Sequence, residues 1–184
     1  MRIKLHFLLF IAIGLSAGLT SCKKDNTAAN CTNGTFNATV DGTAFTGATY
    51  QNTVIRASQN GVIVKRLDIR ATASNGKMII LTVTNLEGAA TGKCLKAATY
   101  DVDPTMNYTD GTNYEGAIGT YMLNSTTIAG QTTPGSSGSI TISSCNETNQ
   151  QVSGTFTFTT STMFGGSAHT ISGTFTDMCY TFSE

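Results

Sequence analysis

The chain has 184 residues with 11 basic and 11 acidic side chains, so no strong excess of charge favours a highly charged partner. Removal of residues 1–21, which contain Arg2 and Lys4, would leave nine basic side chains against 11 acidic ones. A slightly acidic protein lacks the basic surface that nucleic acids require, so we expect no nucleic-acid partner. The 163 residues that then remain of the 184 are enough for one domain with its own core.

The first 21 residues have the pattern of an export signal. Arg2 and Lys4 precede a run from Phe7 to Leu19 in which every residue is apolar, Gly or Ser. A helix that crosses the hydrocarbon core needs about 20 apolar residues, and this run is shorter. The pattern therefore predicts a cleaved signal peptide over residues 1–21 and no transmembrane helix there.

The segment Leu19-Thr20-Ser21-Cys22 resembles the lipobox of bacterial lipoproteins, which has an aliphatic residue, a small residue, Gly, Ala or Ser, and then Cys. The resemblance implies cleavage before Cys22, diacylation of its thiol with palmitate-type chains, and acylation of the new amino terminus. Two or more acyl chains anchor a protein firmly, whereas one does so only marginally. The alternative is an ordinary signal peptide followed by an incidental cysteine.

Residues 22–33 are polar and small, which predicts a flexible tether behind the lipidated Cys22. In lipoproteins of many Gram-negative bacteria, an Asp after the lipidated Cys retains the protein in the inner membrane. Lys23 occupies that position here. The resemblance therefore implies an outer-membrane lipoprotein of the cell envelope and leaves open whether it faces the periplasm or the cell surface.

Residues 34–184 are predicted to form a single all-β domain, an antiparallel β-sandwich or a barrel-like meander. The segment is rich in Thr, Gly, Ser and Asn, and its short apolar runs are separated by turn signals such as Asp41-Gly42. Alternation in the run 62–73 puts Leu67, Ile69 and Ala71 on one face and Arg66, Asp68 and Arg70 on the other. The predicted strands are 35–40, 43–46, 49–57, 62–73, 77–84, 99–102, 114–123, 139–144, 152–160 and 171–178, with loops at 103–113 and 124–137.

A near-repeat marks the C-terminal part of the chain. Val-Ser-Gly-Thr-Phe-Thr at 152–157 differs from Ile-Ser-Gly-Thr-Phe-Thr at 171–176 in its first residue alone. Each copy places an aliphatic residue, a Gly and a Phe on one face, which predicts a hairpin packed through Phe156 and Phe175. The two aligned glycines mark either bulges or space for large neighbours.

Four cysteines follow Cys22, namely Cys31, Cys94, Cys145 and Cys179. An even number in an exported protein predicts two disulfides, and the wide spacing argues against a zinc site. Of the three pairings, we favour Cys31–Cys94 with Cys145–Cys179. This choice needs a bend or a change of sheet, because strands that flank a third are about 9–10 Å apart and a disulfide needs Cα atoms within about 7 Å. It also needs a bulge near Ser144.

Taken together, the chain resembles small bacteroidete lipoproteins that share a β-rich domain of unknown function. The resemblance rests on the lipobox at Cys22, the strand and turn from Phe36 to Phe45, the segment 138–143, and the segments 152–158 and 171–176. It covers most of the chain after the signal peptide. It implies no catalytic residue, no binding residue and no cofactor.

The sequence shows no complete catalytic or metal-binding pattern. His169 is the one histidine after the signal peptide, and we interpret it as a solvent-exposed turn residue rather than a catalytic base. Asp101, Asp103, Asp110 and Glu115 are interpreted as turn residues rather than glycosidase acids. Asp101, Asp103 and Asn107 match part of a calcium-binding loop. Thr105 and Met106 stand where that loop has a third ligand and a Gly. We predict no metal site and no enzyme.

The loop around Tyr108, Asp110 and Tyr114 is the predicted ligand site, because tyrosines and polar groups on a loop suit recognition of a sugar or a peptide. Tyr121 is a further member of this tyrosine group. The predicted function is a lipid-anchored, non-catalytic binding or adhesion module with an unknown extracellular or periplasmic ligand. The alternatives are a structural accessory of the envelope without a small ligand, and an unrecognised hydrolase.

Overall fold

The computed structural model describes residues 31–59, 61–86, 92–102, 115–133, 136–162 and 167–184. Within these ranges the chain forms eleven strands and no helix, which confirms the predicted all-β class. Cys22 and the predicted signal peptide lie outside the described residues. The strands are β1 (Thr35–Val40), β2 (Thr43–Gln59), β3 (Val62–Ala73), β4 (Met78–Leu86), β5 (Ala98–Asp101), β6 (Gly116–Met122), β7 (Ile128–Gln131), β8 (Gly138–Asn146), β9 (Gln151–Thr159), β10 (Thr170–Cys179) and β11 (Thr181–Ser183).

The strands form one large sheet that curls into a half-barrel. The order is β5-β8-β9-β10-β1-β2-β3-β4-β6-β7, and each of these neighbours is antiparallel, whereas β11 lies parallel to β2. The curl brings β5, at one border of the sheet, close to β6 near the other border. A bridge joins Val102, directly after β5, to Ala117 in β6. The inner face of the sheet therefore packs on itself and forms the core.

Most strands lie where the sequence pattern predicts them. β1 and β3 have the predicted bounds, and β3 buries Leu67, Ile69 and Ala71 as its alternation requires. The two strands predicted at 43–46 and 49–57 form one strand, β2. A bulge between Gly47 and Thr49 allows β2 to continue through this irregular stretch.

The structure corrects the sequence prediction at two short strands. β7 lies in the segment 124–137 that was predicted to be a loop. Asn124 Oδ1 accepts hydrogen bonds from the backbone N–H groups of Thr126 and Thr127 at 3.0 and 2.9 Å, and this turn returns the chain to β6. β11 has three residues and pairs with β2. Strands of three or four residues contain too few alternations to be recognised.

The near-repeat forms two neighbouring strands, β9 and β10, whose glycines and phenylalanines are reciprocal. In the antiparallel register Phe156 lies opposite Gly173, and Phe175 lies opposite Gly154. A Cβ atom at either glycine would overlap the ring of the facing phenylalanine. Both rings are buried, with centroids 6.4 Å apart. The glycines therefore provide space for large neighbours, and the bulge of this strand pair lies elsewhere, between Phe175 and Met178.

The same principle joins the two walls of the half-barrel. Phe158 of β9 is 1% exposed, and its ring lies against Gly119 of β6, where a Cβ atom would overlap it. β9 and β6 are far apart in the strand order, so this contact crosses the interior. The absence of a side chain at Gly119 allows the curled sheet to close tightly over Phe158.

Two disulfides are present, and their pairing differs from the favoured one. Cys31 is bonded to Cys179 and Cys94 to Cys145, with Cα atoms 5.9 and 5.7 Å apart. The prediction of Cys145–Cys179 is wrong because β9 lies between β8 and β10, and strands that flank a third are about 9–10 Å apart. The prediction of Cys31–Cys94 is wrong because the chain before β1 runs beside the end of β10 instead, where Asn33 Oδ1 accepts a hydrogen bond from Cys179 N at 3.1 Å.

The predicted bulge near Ser144 is present, between Ile142 and Ser144, although it serves a different bond. It changes the alternation of β8 so that Cys145 lies opposite Val152 and packs against the core. Cys145 there meets Cys94. Both disulfides lie at one end of the half-barrel, which we call the disulfide end. The opposite end contains the turns at 41–42, 74–76 and 123–127, and we call it the turn end.

Truncation at the reciprocal pairs should show how much they stabilise the fold. We expect Phe175→Ala to lower the free energy of unfolding by about 3–5 kcal/mol, since it leaves a cavity in the core. We expect Gly154→Ala to lower it by at least about 1–3 kcal/mol, because its Cβ would overlap both the backbone carbonyl oxygen of Thr141 and the Phe175 ring. Thr155→Ala, at the exposed position next to Gly154, is the control and should lower the free energy of unfolding by less than about 1 kcal/mol. Denaturant unfolding measures all three, and a loss below 1 kcal/mol for both core variants would contradict the assignment.

The disulfide pairing can be tested by peptide mapping without reduction. We expect one linked peptide that joins Cys31 to Cys179 and a second that joins Cys94 to Cys145. Replacement of Cys31 and Cys179 together by Ser should lower the free energy of unfolding by about 2–4 kcal/mol, because the open chain gains conformational entropy when unfolded. A peptide that joins Cys145 to Cys179 would show that the strand order is wrong.

Candidate functional site

The predicted ligand loop falls on residues that the structure does not describe. Tyr108, Asp110 and Tyr114, together with Asp103 and Asn107, lie outside the described residues. The two acidic residues that flank this segment, Asp101 and Glu115, both line a cavity of about 390 Å³ at the seam where β5 approaches β6. In the part of the chain that the structure describes, no group of three or more His, Cys, Asp or Glu side chains is placed to hold a metal ion.

Tyr100 lies at this seam with its hydroxyl turned inward. The side chain is buried, and the hydroxyl donates a hydrogen bond to the carbonyl oxygen of Lys96 at 2.7 Å. Burial raises the pKa of Tyr100 to about 12, and the nearby charge of Glu115 contributes to the increase. Tyr100 therefore stays a neutral donor that holds the segment before β5 in place, and it is not a group that exchanges protons with a ligand.

A larger cavity, of about 470 Å³, opens at the turn end. Its walls come from separate elements: the β1–β2 turn with the start of β2, the β3–β4 turn, the end of β6, and the residue before β10. Strand ends with turns are good recognition surfaces, because a rigid sheet holds side chains of variable loops in place. The lining residues are Val40, Asp41, Thr43, Ala44, Phe45, Thr46, Ala73, Ser74, Asn75, Lys77, Tyr121, Leu123 and His169.

The centre of this site is a hydrogen-bonded pair of side chains, His169 and Asp41. His169 Nδ1 lies 2.7 Å from Asp41 Oδ2. Asp41 Oδ1 accepts a second hydrogen bond, from the backbone N–H of Thr170 at 2.9 Å. The hydrogen bond from His169 is the largest cause that holds the pKa of Asp41 below its ordinary value of 3.8, and the hydrogen bond from Thr170 is the second. The carboxylate is therefore ionised at neutral pH, and both of its oxygens are engaged.

The pair forms because β1 and β10 stay paired up to the end of β1 and the start of β10. Val40 lies opposite Ile171, and Asp41 N donates to the carbonyl oxygen of Thr170 at 2.8 Å. Asp41 has φ of +52°, which Asp tolerates better than most residues, and Gly42 follows with φ of +78°. The Asp41-Gly42 turn that the sequence predicts is thus the element that aims the carboxylate at His169.

The structure corrects the interpretation of His169 as a solvent-exposed turn residue. Its side chain is 21% exposed, its ring packs edge-to-face against Tyr121 at 5.1 Å between centroids, and its backbone N–H donates to Thr160 Oγ1 at 3.0 Å. Asp41 was not among the predicted site residues. The sequence contains no signal for the pair, because 128 residues separate its members.

Asp41 can only accept hydrogen bonds, so His169 donates through Nδ1 and keeps Nε2 for other partners. A carboxylate that orients an imidazole in this way is common to metal ligands and to catalytic bases. Among the described residues, no Ser, Thr or Cys side chain forms a hydrogen bond with Nε2. The described part of the site therefore contains an oriented imidazole and no nucleophile beside it.

A buried lysine at the disulfide end was also missed. Lys65 lies on the inner face of β3, opposite Asn85, and is 5% exposed. Its Nζ donates to the carbonyl oxygen of Cys94 at 2.9 Å. Alternation places Lys65 on the same face as Leu67 and Ile69, so the sequence contained this signal. The lysine supports the segment that carries the Cys94–Cys145 disulfide.

No protein-family model matches the chain, and no curated protein or solved structure is significantly similar to it. The resemblance to small bacteroidete lipoproteins therefore stays a prediction. In the described part of the chain there is no helix with the length and hydropathy that a membrane crossing requires.

The lowered pKa of Asp41 in this pair predicts a specific dependence of stability on pH. A carboxylate whose pKa is lowered by folding stabilises the folded state above its ordinary pKa of 3.8, and this contribution is lost as the pH falls through the lower, folded-state pKa. We therefore expect Asp41→Asn to be less stable than the unmodified protein at pH 6, and we expect the difference to shrink below about pH 4.

Asp101→Asn, an exposed carboxylate outside the pair, is the control and should show no such narrowing. The measurement is the free energy of unfolding by denaturant between pH 3 and 7. Equal stability of Asp41→Asn and the unmodified protein at pH 6 would contradict the assigned role of the pair.

Proposed function

We propose that the protein is a lipid-anchored lipoprotein of the outer membrane that binds a small ligand in the cavity at the turn end. The observation that carries the proposal is the opposite placement of the tether and the cavity. Cys31, where the tether of residues 22–33 joins the fold, is bonded to Cys179 at the disulfide end. Asp41 and His169 lie at the other end.

The dimensions support this arrangement. Eight residues lie between Cys22 and Cys31, so a lipid on Cys22 holds the disulfide end within roughly 30 Å of the bilayer. β3 runs from the disulfide end to the cavity, and its 12 residues extend for roughly 40 Å. The cavity then lies at the end of the fold that is farther from the anchor, where soluble ligands can reach it.

The cavity also has the size and chemistry of a binding site. Its 470 Å³ lie within the range of about 300–1,000 Å³ that small-molecule sites occupy. Its lining combines hydroxyl, amide, ammonium and imidazole groups with the exposed apolar side chain of Leu123. The Asp41–His169 pair keeps the imidazole in one orientation, so part of the site is organised before a ligand arrives.

The hydrolase alternative has one observation in its favour, the oriented imidazole of His169. A triad needs a nucleophile within hydrogen-bond distance of Nε2, and the described residues place none there. We therefore propose a non-catalytic binding protein. The alternative of a structural accessory of the envelope predicts that the cavity takes no small ligand.

Anchoring can be tested at the lipobox. We expect Cys22→Ala to leave the precursor uncleaved or to release the protein from the membrane fraction, because the thiol that accepts the lipid is lost. Ser21→Ala is the control, since the lipobox pattern accepts Ala at this position. Mass spectrometry of the mature amino terminus should find an acylated Cys22, and an unmodified amino terminus elsewhere would contradict the proposal.

Ligand binding can be tested by blocking the cavity. Ser74 is an exposed residue of the cavity lining, so Ser74→Trp should fill the opening without disturbing the core. We expect compounds that raise the melting temperature of the unmodified protein in a screen of sugars and organic acids to lose this effect with Ser74→Trp. They should keep it with Ser183→Trp, an exposed position in β11 at the disulfide end.

If no compound has an effect on the melting temperature that Ser74→Trp removes, the binding proposal fails and the structural alternative is favoured. Hydrolysis of a compound by the unmodified protein that disappears with His169→Ala would favour the hydrolase instead.

A further inference from the structure

If the proposed function holds, the cavity at the turn end has a specific ligand chemistry. We infer that it binds a sugar acid, a molecule that carries one carboxylate and several hydroxyl groups on a ring. This inference rests on the binding function proposed above and adds the chemical class of the ligand. It is carried by two side chains of the cavity lining, Lys77 and His169, and by the hydroxyl groups of the same lining.

Lys77 provides the positive charge. Its backbone is held in the β3–β4 turn, where Lys77 N donates to Asn75 Oδ1 at 3.1 Å and its carbonyl oxygen accepts from Ala73 N at 2.8 Å. The ammonium group is without a hydrogen-bond or ion-pair partner among the described residues. Lys77 is half-buried and lines the cavity, and an ammonium group without a protein partner is suited to bind a carboxylate.

Asp41 forms no ion pair with Lys77. It is the other charged side chain of the described lining, and both of its oxygens are engaged, by His169 and by Thr170. Lys77 is therefore the charged group that remains for a ligand.

His169 provides an acceptor for a hydroxyl group. With Nδ1 donating to Asp41, the lone pair of this imidazole tautomer is on Nε2, and no described side chain forms a hydrogen bond with Nε2. A lone pair accepts a hydrogen bond from a hydroxyl group and repels a carboxylate. The site therefore fits a ligand with a carboxylate near Lys77 and a hydroxyl group near His169. A sugar acid has both groups.

The rest of the lining agrees with a ring of hydroxyl groups. The exposed residues Thr43, Thr46 and Ser74 add hydroxyls that can donate or accept. Leu123 is 46% exposed and lines the same cavity, so it offers an apolar surface for the C–H face of a ring. A purely apolar acid would leave these hydroxyl groups and Nε2 without partners.

The test uses three probes with six-membered rings. Glucuronate carries the carboxylate and the hydroxyl groups, glucose lacks the carboxylate, and cyclohexanecarboxylate lacks the hydroxyl groups. We expect the purified protein to bind glucuronate at least about tenfold more tightly than either other probe, measured by NMR titration of backbone amide shifts. Ser74→Trp should abolish the binding of glucuronate.

Two variants separate the two contacts. Lys77→Met keeps the length of the side chain, and it should remove the preference for glucuronate over glucose. His169→Asn keeps a donor near the position of Nδ1 for Asp41 and removes Nε2, so it should remove the preference for glucuronate over cyclohexanecarboxylate. Lys96→Met, an exposed lysine in the lining of the seam cavity, is the control and should leave both preferences unchanged.

Equal binding of glucose and glucuronate, or a preference that survives Lys77→Met, would overturn the inference. The same holds if none of the three probes binds in a manner that depends on Ser74. The proposed function survives these outcomes if another compound of the screen binds to the unmodified protein and not to Ser74→Trp. If no compound does so, the proposed function and the inference both fail.

Discussion

The structure depends on the reciprocal packing of two glycines and two phenylalanines in β9 and β10. In a sheet, a slip of one residue moves every side chain to the other face, so a strong contact on one face determines the register. Here each Phe ring occupies the space above the Gly of the facing strand, and a shift would drive both rings into side chains or leave two cavities. Two nearly identical motifs can pack in this way because antiparallel strands place the Gly of one copy opposite the Phe of the other.

This register determines the disulfide end of the molecule. After Phe175 the bulge and the positive φ of Asp177 change the course of β10, and the chain continues into β11 beside β2. β10 is antiparallel to β1, which is antiparallel to β2, so a continuation of β10 beside β2 must be parallel to it. The Cys31–Cys179 bond lies at this change of course and ties the start of the domain to its end.

The same ladder determines the turn end. Because β1 and β10 are paired up to Val40 and Ile171, the residues that follow and precede them, Asp41 and His169, meet beyond the last pair. The oriented imidazole is thus a consequence of strand register rather than of a local motif. Lys77 reaches the same cavity from the β3–β4 turn, on strands that the curl of the sheet brings round to face it.

The all-β class, the bounds of β1 and β3, the buried face of β3 and the Phe156–Phe175 packing were all predictable, because each follows from alternation and turn chemistry within a few residues. The pairing of the cysteines was not predictable, because it depends on β9 lying between β8 and β10, and strand order is a property of long-range packing. The His169–Asp41 pair was not predictable either. Its members are 128 residues apart, and only the antiparallel β1–β10 ladder brings a turn carboxylate within 2.7 Å of an imidazole.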